Sequence, residues 1–271
     1  MPILTDLRLP ADFTDPDDVA RTVVTVGLTM VTTGIELDFH HHRKAQLLLS
    51  MRGVLTCELE GGLWIVPPQS AIWIPGGLSH SIRAAGAIEG YNAFIEPRIV
   101  TNLPPNCCTI SVTPLLRELL IRSASFPLAY PEGGMETHLV ALLLDEIAMA
   151  QIGKLHLPMP TDHRLRKIVD MMMADPSDQE TMEVWARRAG LSERTLARMI
   201  AHETGMTFSR WRQQLNIMLA LQWLAAGATI QQVAIDLGYE SASSFTTMFR
   251  KALGTSPGRY MAERQGTPAG D

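Results

Sequence analysis

Four polar residues in the first third of the chain have the types and spacing of a ligand site: His40, His42, Gln46 and His80. Side chains two residues apart on a strand point to the same face, so His40 and His42 belong together, and Gln46 keeps their parity. Three neutral imidazoles can bind Zn²⁺, Ni²⁺ or Fe²⁺, and Gln46 adds no negative charge. We interpret the four side chains as the pocket of a small-molecule effector. We expect no cofactor, and a divalent metal on the same residues is the alternative.

Other catalytic arrangements do not stand out in the sequence. We find no Ser–His–Asp order, no Gly-rich phosphate loop and no paired-carboxylate motif. The three cysteines include an adjacent pair, Cys107 and Cys108, and give neither a disulfide framework nor a CxxC metal pattern. A non-enzyme is therefore expected.

The sequence around the pocket residues has a pattern typical of β-strands. From Val23 to about Ile95, short apolar runs alternate with turn signals such as Thr33-Gly34 and Arg52-Gly53. This pattern is typical of a β-sandwich or barrel.

After Pro114 the pattern becomes helical. Helices are predicted over Pro114–Ser125 and Met135–Gln151. The second has an apolar stripe formed by Leu139, Leu142, Leu143 and Ile147. This stripe is the candidate homodimer interface, and packing against the sheet is the alternative.

Two copies of one motif occupy the last ninety residues. Each copy has an Ala four residues before a Gly, Gly190 or Gly238, and a Ser shortly after it, Ser192 or Ser241. From each Ser the correspondence continues at offsets of four, eight and thirteen, where Leu196 matches Phe245, Ile200 matches Phe249 and Gly205 matches Gly254. The duplication predicts two copies of one structural unit.

Each copy has the layout of a helix-turn-helix. The glycine allows a sharp turn and the serine caps a second helix. Facing away from the apolar side of that helix are Arg194, Ala197 and Arg198 in one copy, and Ala242, Ser243, Thr246, Thr247 and Arg250 in the other. Between the copies, Phe208–Ala225 predicts a helix of about 27 Å, which could hold both second helices near the roughly 34 Å repeat of B-DNA. The alternative is a helical bundle with ordinary solvated faces.

Two segments of this region have a family-specific pattern: LSERTLARMIAHETGMTFSRWRQQL from Leu191 and VAIDLGYESASSFTTMFRKALGTSPGRY from Val233. With them, the stretch from Asp162 to Met261 resembles the DNA-binding domain of AraC/XylS-type transcription regulators. The resemblance implies base contacts from Arg194, Ala197, Arg198, Ala242, Ser243, Ser244 and Thr247, and phosphate contacts from Arg210, Arg212 and Arg250. One departure is Asn216, where the family's linking helix often carries Arg.

The pocket residues also follow a family pattern, Gly34-x5-His40-x-His42-x3-Gln46-x6-Gly53 and then Pro75-x-Gly77-x2-His80. This spacing resembles the two cupin motifs, which implies a small β-barrel into which the side chains converge. Gln46 stands where the family usually has Glu. The resemblance also implies the alternative function, a metal-dependent enzyme such as a dioxygenase or isomerase with a helical accessory domain.

These observations predict an α+β multidomain fold. An N-terminal cupin-like β-barrel with helices precedes a C-terminal all-α domain, in which a long helix joins two helix-turn-helix units. Residues 1–113 are the predicted effector-sensing barrel, 114–154 a helical candidate dimerisation segment, 155–161 a linker and 162–271 the DNA-binding domain.

The charge distribution fits a sequence-specific DNA-binding regulator whose activity a small molecule modulates. The net charge of −5 divides into −6 over residues 1–161 and +1 over residues 162–271. A wholly basic nucleic-acid protein is excluded, whereas a local cationic face is allowed. No secretory signal or membrane-spanning apolar run is visible, so a cytoplasmic location without membrane contact is expected. The expected partners are a double-stranded DNA operator, a small-molecule effector, RNA polymerase and a second copy of the chain.

Overall fold

The computed structural model divides near residue 156 into a sheet-rich unit and a helical unit. The first comprises Met1–Glu60 and Trp64–His156, and the second comprises Gly61–Leu63 and Leu157–Asp271. The structure describes residues 3–4, 14–59, 61–98, 103–153 and 155–265. The other positions of the predicted domains, among them 5–13, 99–102 and 266–271, lie outside the described residues.

An antiparallel sheet dominates the first unit. Its described strands are β1 (Ile3–Leu4), β2 (Val23–His40), β3 (Ala45–Leu59), β4 (Gly62–Val66), β5 (Ser70–Ile74), β6 (His80–Ile95) and β7 (Cys108–Ser111). β2 pairs with β6, β6 with β3, β3 with β5 and β5 with β7, while β1 adds a parallel edge to β2. The sheet-rich unit agrees with the prediction. However, among the described strands the pairing does not return to its starting strand, so no closed barrel is formed there.

Two strands are longer than predicted because turn signals lie inside them. Thr33-Gly34 falls within β2 and Arg52-Gly53 within β3, and the pairing register shifts at both places. A β-bulge needs the same permissive backbone as a turn. Gly53 has φ +81°, and a Cβ at this position would lie 2.6 Å from the carbonyl oxygen of Ala87. Each strand therefore continues where a turn was predicted to divide it.

Both faces of the sheet are buried. One face contributes Leu48 and Phe94 to an apolar core, and the other contributes Leu47 and Trp73 to a second core. Two helices, α1 (Pro114–Ser123) and α2 (Met135–Met149), add further side chains to the second core. The helices after Pro114 therefore cover the outer face of the sheet and belong to the first unit.

The packing of α2 corrects the predicted dimer stripe. Leu143 and Ile147 are completely buried against the outer face of the sheet, and Leu139 is partly buried in the same core. Only Leu142 of the four is exposed, at 43%. The outward face of α2 carries the exposed apolar residues Met135, Leu142 and Met149. The four-residue stripe is thus not one interface, because the chain's own sheet needs an apolar cover.

Helices form nearly all of the second unit. Its described helices are α3 (His163–Ala174), α4 (Met182–Arg188), α5 (Glu193–Thr204), α6 (Phe208–Ala225), α7 (Ile230–Asp236), α8 (Ala242–Leu253) and α9 (Pro257–Gln265). The two predicted serine N-caps are confirmed, since Ser192 and Ser241 each accept a backbone N–H, and Asp162 caps α3 in the same way. On α6, the buried Asn216 donates a 3.4 Å hydrogen bond to the Tyr239 hydroxyl, a neutral contact. No helix within the described ranges is long and apolar enough to cross a bilayer.

The predicted linker 155–161 is extended, but it is also anchored. Within it lies the short strand β8 (His156–Pro158), and Leu157 is completely buried. The Trp211 indole N–H donates to the Pro158 carbonyl at 2.7 Å, and the Glu203 carboxylate accepts the backbone N–H of Thr161 at 2.6 Å. The end of this segment is therefore part of the helical unit.

Gly190 and Gly238 occupy equivalent positions in the two copies of the motif but have different surroundings. We therefore expect their substitution to reduce stability by different amounts. Gly190 has φ +69° and no atom within 4 Å of an added Cβ, whereas at Gly238, with φ +73°, that Cβ would collide with the Ser177 carbonyl oxygen. Gly190→Ala should cost about 1–2 kcal/mol for the left-handed backbone alone. Gly238→Ala should cost roughly 1–3 kcal/mol more from overpacking. Hydrogen exchange of the α4–α5 and α7–α8 amides measures both, and equal losses would contradict the proposed clash.

Neighbouring leucines on α2 provide a second matched pair. Leu143→Asp should destabilise the first unit by at least about 3 kcal/mol, because it removes a buried leucine and buries a charge. Leu142→Asp should change stability by less than about 0.5 kcal/mol, as surface substitutions do. Denaturant unfolding of the full chain, followed by hydrogen exchange in β3 and β6, distinguishes them. Because Leu142→Asp keeps the fold, sedimentation velocity of this variant also tests dimerisation. If the variant sediments as a species no smaller than wild type, the outward face of α2 is not the dimer interface.

Candidate functional site

The three pocket histidines meet at one end of the β2–β6 strand pair. His40 is the last residue of β2 and is the cross-strand partner of His80, the first residue of β6. His42 follows in the connection to β3. The ring centroids of His40 and His80 are 4.4 Å apart, and those of His42 lie 4.9 Å and 5.6 Å from them. One ring nitrogen of each histidine lies within 4.8 Å of the others, so the predicted convergence is present.

Backbone carbonyls fix the orientation of two of the rings. The Nδ1 atom of His40 lies 2.8 Å from the Asp38 carbonyl oxygen, and that of His80 lies 2.9 Å from the Leu78 carbonyl oxygen. A carbonyl oxygen only accepts, so each Nδ1 carries a proton. The Nε2 atom of His80 is buried, and no described residue hydrogen-bonds to it. This nitrogen is therefore an unused acceptor.

Burial favours the neutral imidazoles of His42 and His80. It lowers the pKa of His80 to about 4, and a smaller effect of the neighbouring histidines acts in the same direction. Burial and then the charge of His40 lower the pKa of His42, while Asp17 and Asp15 partly oppose this shift. Near pH 7 both side chains therefore present a lone pair rather than a charge.

Gln46, on β3, is a fourth polar side chain in the region of the histidines. It is 2% exposed, and its Oε1 atom has no hydrogen-bond partner among the described residues. Its cross-strand partner on β6 is Phe94, whose ring lies edge-on to His42 at 5.1 Å. All four predicted pocket residues therefore lie in one region, three of them in direct ring contact.

Asp17 positions the connection that carries His42, and the sequence did not indicate this role. Its carboxylate accepts the backbone N–H groups of Arg43 at 2.6 Å and Lys44 at 2.9 Å, directly after His42. The Lys44 ammonium is buried and donates to the Val19 and Arg21 carbonyl oxygens. The two contacts hold the His42 connection against a segment more than twenty residues away, a separation that leaves no spacing pattern to detect.

In the helical unit, α5 presents the predicted cationic face. Arg194 and Arg198 are exposed, and neither makes a hydrogen bond or ion pair with any described residue. Ala197 between them is half-buried. Leu196 and Ile200, on the opposite side, are buried in the core. The helix is therefore held by its apolar face and leaves two guanidinium groups for a partner.

α8 has the same arrangement with smaller side chains. Phe245 and Phe249 are completely buried, Ala242 is half-buried, and the exposed positions are Ser243, Ser244, Thr247 and Arg250. The Thr247 hydroxyl donates to the Ser243 carbonyl oxygen at 2.9 Å, so only its lone pairs remain for a partner. This surface is polar and nearly uncharged.

The three predicted phosphate-binding arginines differ in their surroundings. Arg210 and Arg250 are exposed and have no ion pair among the described residues. Arg212 is half-buried, donates to the Glu180 carbonyl oxygen at 2.9 Å and lies over the Phe208 ring at 5.8 Å. Sequence spacing did not separate this structural arginine from the two free ones. It also missed Lys251, an exposed cation beside Arg250.

Two family descriptions match the chain. The AraC-like ligand binding domain matches residues 32–153, which include the pocket histidines and both helices of the first unit. The helix-turn-helix domain matches residues 185–263, which include α5 and α8.

Comparison with individual proteins gives the same family. The HTH-type transcriptional regulator NimR of Escherichia coli (strain K12) is 41% identical over 255 residues, which cover 94% of this chain and 93% of NimR. The HTH-type transcriptional regulator RipA of Corynebacterium glutamicum is 33% identical over 103 residues, which cover 38% of this chain and 31% of RipA. The solved structure of ToxT from Vibrio cholerae is 12% identical, covers 89% of this chain and 98% of its own, and has a TM-score of 0.37. The similarity to NimR spans both units. The chain belongs to the AraC-type family of helix-turn-helix transcriptional regulators, with a ligand-binding N-terminal domain and a DNA-binding C-terminal domain.

Proposed function

We propose that this regulator reads a double-stranded DNA operator with the outward faces of α5 and α8, and that a small molecule in the histidine pocket changes its operator binding. One observation carries the DNA proposal: two serine-capped helices each bury an apolar face and leave a polar face exposed. The linking helix α6 has 18 residues, about 27 Å. Its length suits two readers placed in successive major-groove segments.

The two reading helices have unequal chemistry. Arg194 and Arg198 can each contact guanine O6 and N7 in a bidentate manner, worth about 1–3 kcal/mol of discrimination. Ala197, Ala242, Ser243, Ser244 and Thr247 offer methyl contacts or single hydrogen bonds. We therefore assign most of the base specificity to α5.

Backbone attachment comes from a small set of cations. Arg210 and Arg250 are free to contact phosphates, and Lys251 is a further donor. Arg212 acts within the protein, through the Glu180 carbonyl and the Phe208 ring. Because few cations face the DNA, the dependence of affinity on salt should be modest for a DNA-binding protein.

The effector pocket is formed by His40, His42, Gln46 and His80. The lone pairs and the unpaired amide oxygen suit a small neutral or weakly anionic compound. We propose a binding role rather than a catalytic one, because the nearby Asp17 carboxylate is occupied by two backbone N–H groups. A metal-dependent cupin enzyme is the alternative.

The assembled regulator needs further partners. We propose a homodimer, because linking two DNA-binding units raises effective concentration at a paired operator. The outward face of α2, with Met135, Leu142 and Met149, is the surface available for it. We propose RNA polymerase as the partner through which the DNA-bound regulator acts on transcription. We propose a cytoplasmic location because the DNA operator and RNA polymerase are the partners.

The DNA proposal predicts specific losses on α5. Arg194→Ala and Arg198→Ala should each weaken binding to the operator about 5–150-fold, the equivalent of 1–3 kcal/mol. Arg117→Ala removes the same charge from α1 and should leave binding unchanged. The operator is first located by footprinting the DNA that flanks this protein's coding region, and affinities are then measured by fluorescence anisotropy. Equal affinities of the three variants would remove α5 as the reader.

The pocket proposal predicts a separate loss of response. Footprinting repeated over a panel of small neutral and weakly anionic metabolites identifies a compound that changes operator affinity. Gln46→Leu should reduce the response to that compound about 2–10-fold, because one hydrogen bond is lost, while basal operator binding stays intact. Gln151→Leu, at an exposed position of the same unit, is the control. An undiminished response in Gln46→Leu would place the effector elsewhere.

A further inference from the structure

We propose that the first unit has a second small-molecule site, and that this site takes an organic cation such as a protonated amine. The site is a cleft, named here the Glu96 cleft, which is lined by residues 17–22, Arg43, Glu96, Tyr130, Glu132 and Val140, among others. The proposal goes beyond the function proposed above and does not rest on it.

The Glu96 cleft has the size of a ligand site. Its volume is about 650 Å³, within the roughly 300–1,000 Å³ of clefts that hold small molecules. Tyr130 and Val140 give it apolar side chains that are 5% and 4% exposed. None of the four residues of the effector pocket lines it. The cleft is therefore separate from that pocket, and it offers an apolar surface to the body of a ligand.

Glu96 supplies an incompletely paired carboxylate. Its Oε2 atom accepts a hydrogen bond from the Arg43 guanidinium, whereas its Oε1 atom is buried and has no hydrogen-bond partner among the described residues. A carboxylate offers about four acceptor sites, and burying a polar atom without a partner is unfavourable. The last torsion of a Glu side chain is broad and twofold, so either oxygen can face the cleft. This carboxylate can therefore accept an N–H group from a ligand.

The guanidinium groups that line the cleft already have acceptors. Arg43 donates to Glu96 and to the Asp17 carbonyl oxygen. Arg21 donates to two backbone carbonyl oxygens and lies over the Tyr130 ring at 5.5 Å. An anionic ligand would have to displace these contacts. The unused hydrogen-bonding capacity of Glu96 calls for a donor instead.

The charge of the lining also favours a cation. Four carboxylates, those of Asp17, Asp18, Glu96 and Glu132, accompany two guanidinium groups, which leaves a charge of −2. The buried Lys44 ammonium donates to two carbonyl oxygens of the 17–22 segment and reduces this charge to −1. An ammonium group beside Glu96 would offset the remaining charge and donate the missing hydrogen bond.

The cleft is linked to the histidine pocket through the backbone. Arg43 directly follows His42, and the Arg43 N–H group donates to the Asp17 carboxylate at 2.6 Å. A cation at Glu96 competes with the Arg43 guanidinium for the same carboxylate. We therefore expect occupancy of the cleft to change the surroundings of the His42 ring.

NMR of the full chain, with labelled valine methyl groups and histidine rings, tests the site. The probe is benzylamine, which is protonated at neutral pH, and the controls of similar shape are benzyl alcohol, which is neutral, and benzoate, which is anionic. Benzylamine should shift the Val140 methyl resonances in a saturable manner and shift the His42 ring resonance in the same titration. The two control compounds should leave the Val140 methyl resonances unchanged.

Three variants test where the amine binds. Glu96→Gln should weaken benzylamine binding at least about tenfold, as loss of a hydrogen bond to a charged group does. Glu132→Gln removes the same charge from a side chain that is 82% exposed and should weaken binding less than about fivefold. Thr137→Phe introduces a bulky side chain into the cleft from an exposed position of α2 and should abolish binding while the fold is kept. Circular dichroism checks the fold of each variant.

Each result has a defined reading. Val140 methyl resonances that do not respond to benzylamine in folded wild type overturn the site. Equal shifts with benzyl alcohol or benzoate overturn the preference for a cation. Equal losses in Glu96→Gln and Glu132→Gln overturn the contact with Glu96, and wild-type binding by folded Thr137→Phe places the amine outside the cleft. A constant His42 resonance overturns the link to the histidine pocket and leaves the cation site standing.

Discussion

The antiparallel pairing of β2 with β6 is the constraint on which the first unit depends. It runs from Val23 opposite Ile95 to His40 opposite His80, and β6 pairs with β3 along its other edge. Both faces of this sheet are buried, so a slip of one residue would exchange the side chains of the two cores. The same register joins two imidazoles that are forty residues apart in sequence. The meeting of His40 and His80 is therefore a direct consequence of strand register, whereas His42 also depends on the contacts of Asp17.

The helical unit could be predicted closely because its determinants are local. Ser192, Ser241 and Asp162 cap helices within three residues of themselves, and the bounds of α6 follow from apolar periodicity and a threonine cap. Duplication of the motif at fixed offsets supplied a second, independent indication. The exposure of Arg194 and Arg198 follows from the burial of Leu196 and Ile200 on the other side of one helix.

The remaining features depend on contacts between distant segments. Gly53 serves a bulge as well as it serves a turn, so composition alone could not distinguish one long strand from two short ones. The stripe on α2 showed that Leu143 needs an apolar partner without indicating whether the partner is a sheet or a second chain. Arg212, unlike the exposed Arg210, donates to the Glu180 carbonyl, thirty-two residues away, and lies over the Phe208 ring. The histidine spacing predicted the convergence of the three rings, whereas the carbonyl groups that orient His40 and His80 could not be predicted.

The contrast between α5 and α8 has a consequence for redesign. On α8, Ser243 and Thr247 lie on the solvent side, and the core contacts of that helix come from Phe245 and Phe249. Longer side chains such as Asn, Gln or Arg could be introduced there with little effect on folding. If α5 and α8 read the operator as proposed, a laboratory wishing to redirect this regulator to a different promoter would diversify α8 and retain α5, which would give new sequence preferences in one half of the target and keep the contacts to the other half.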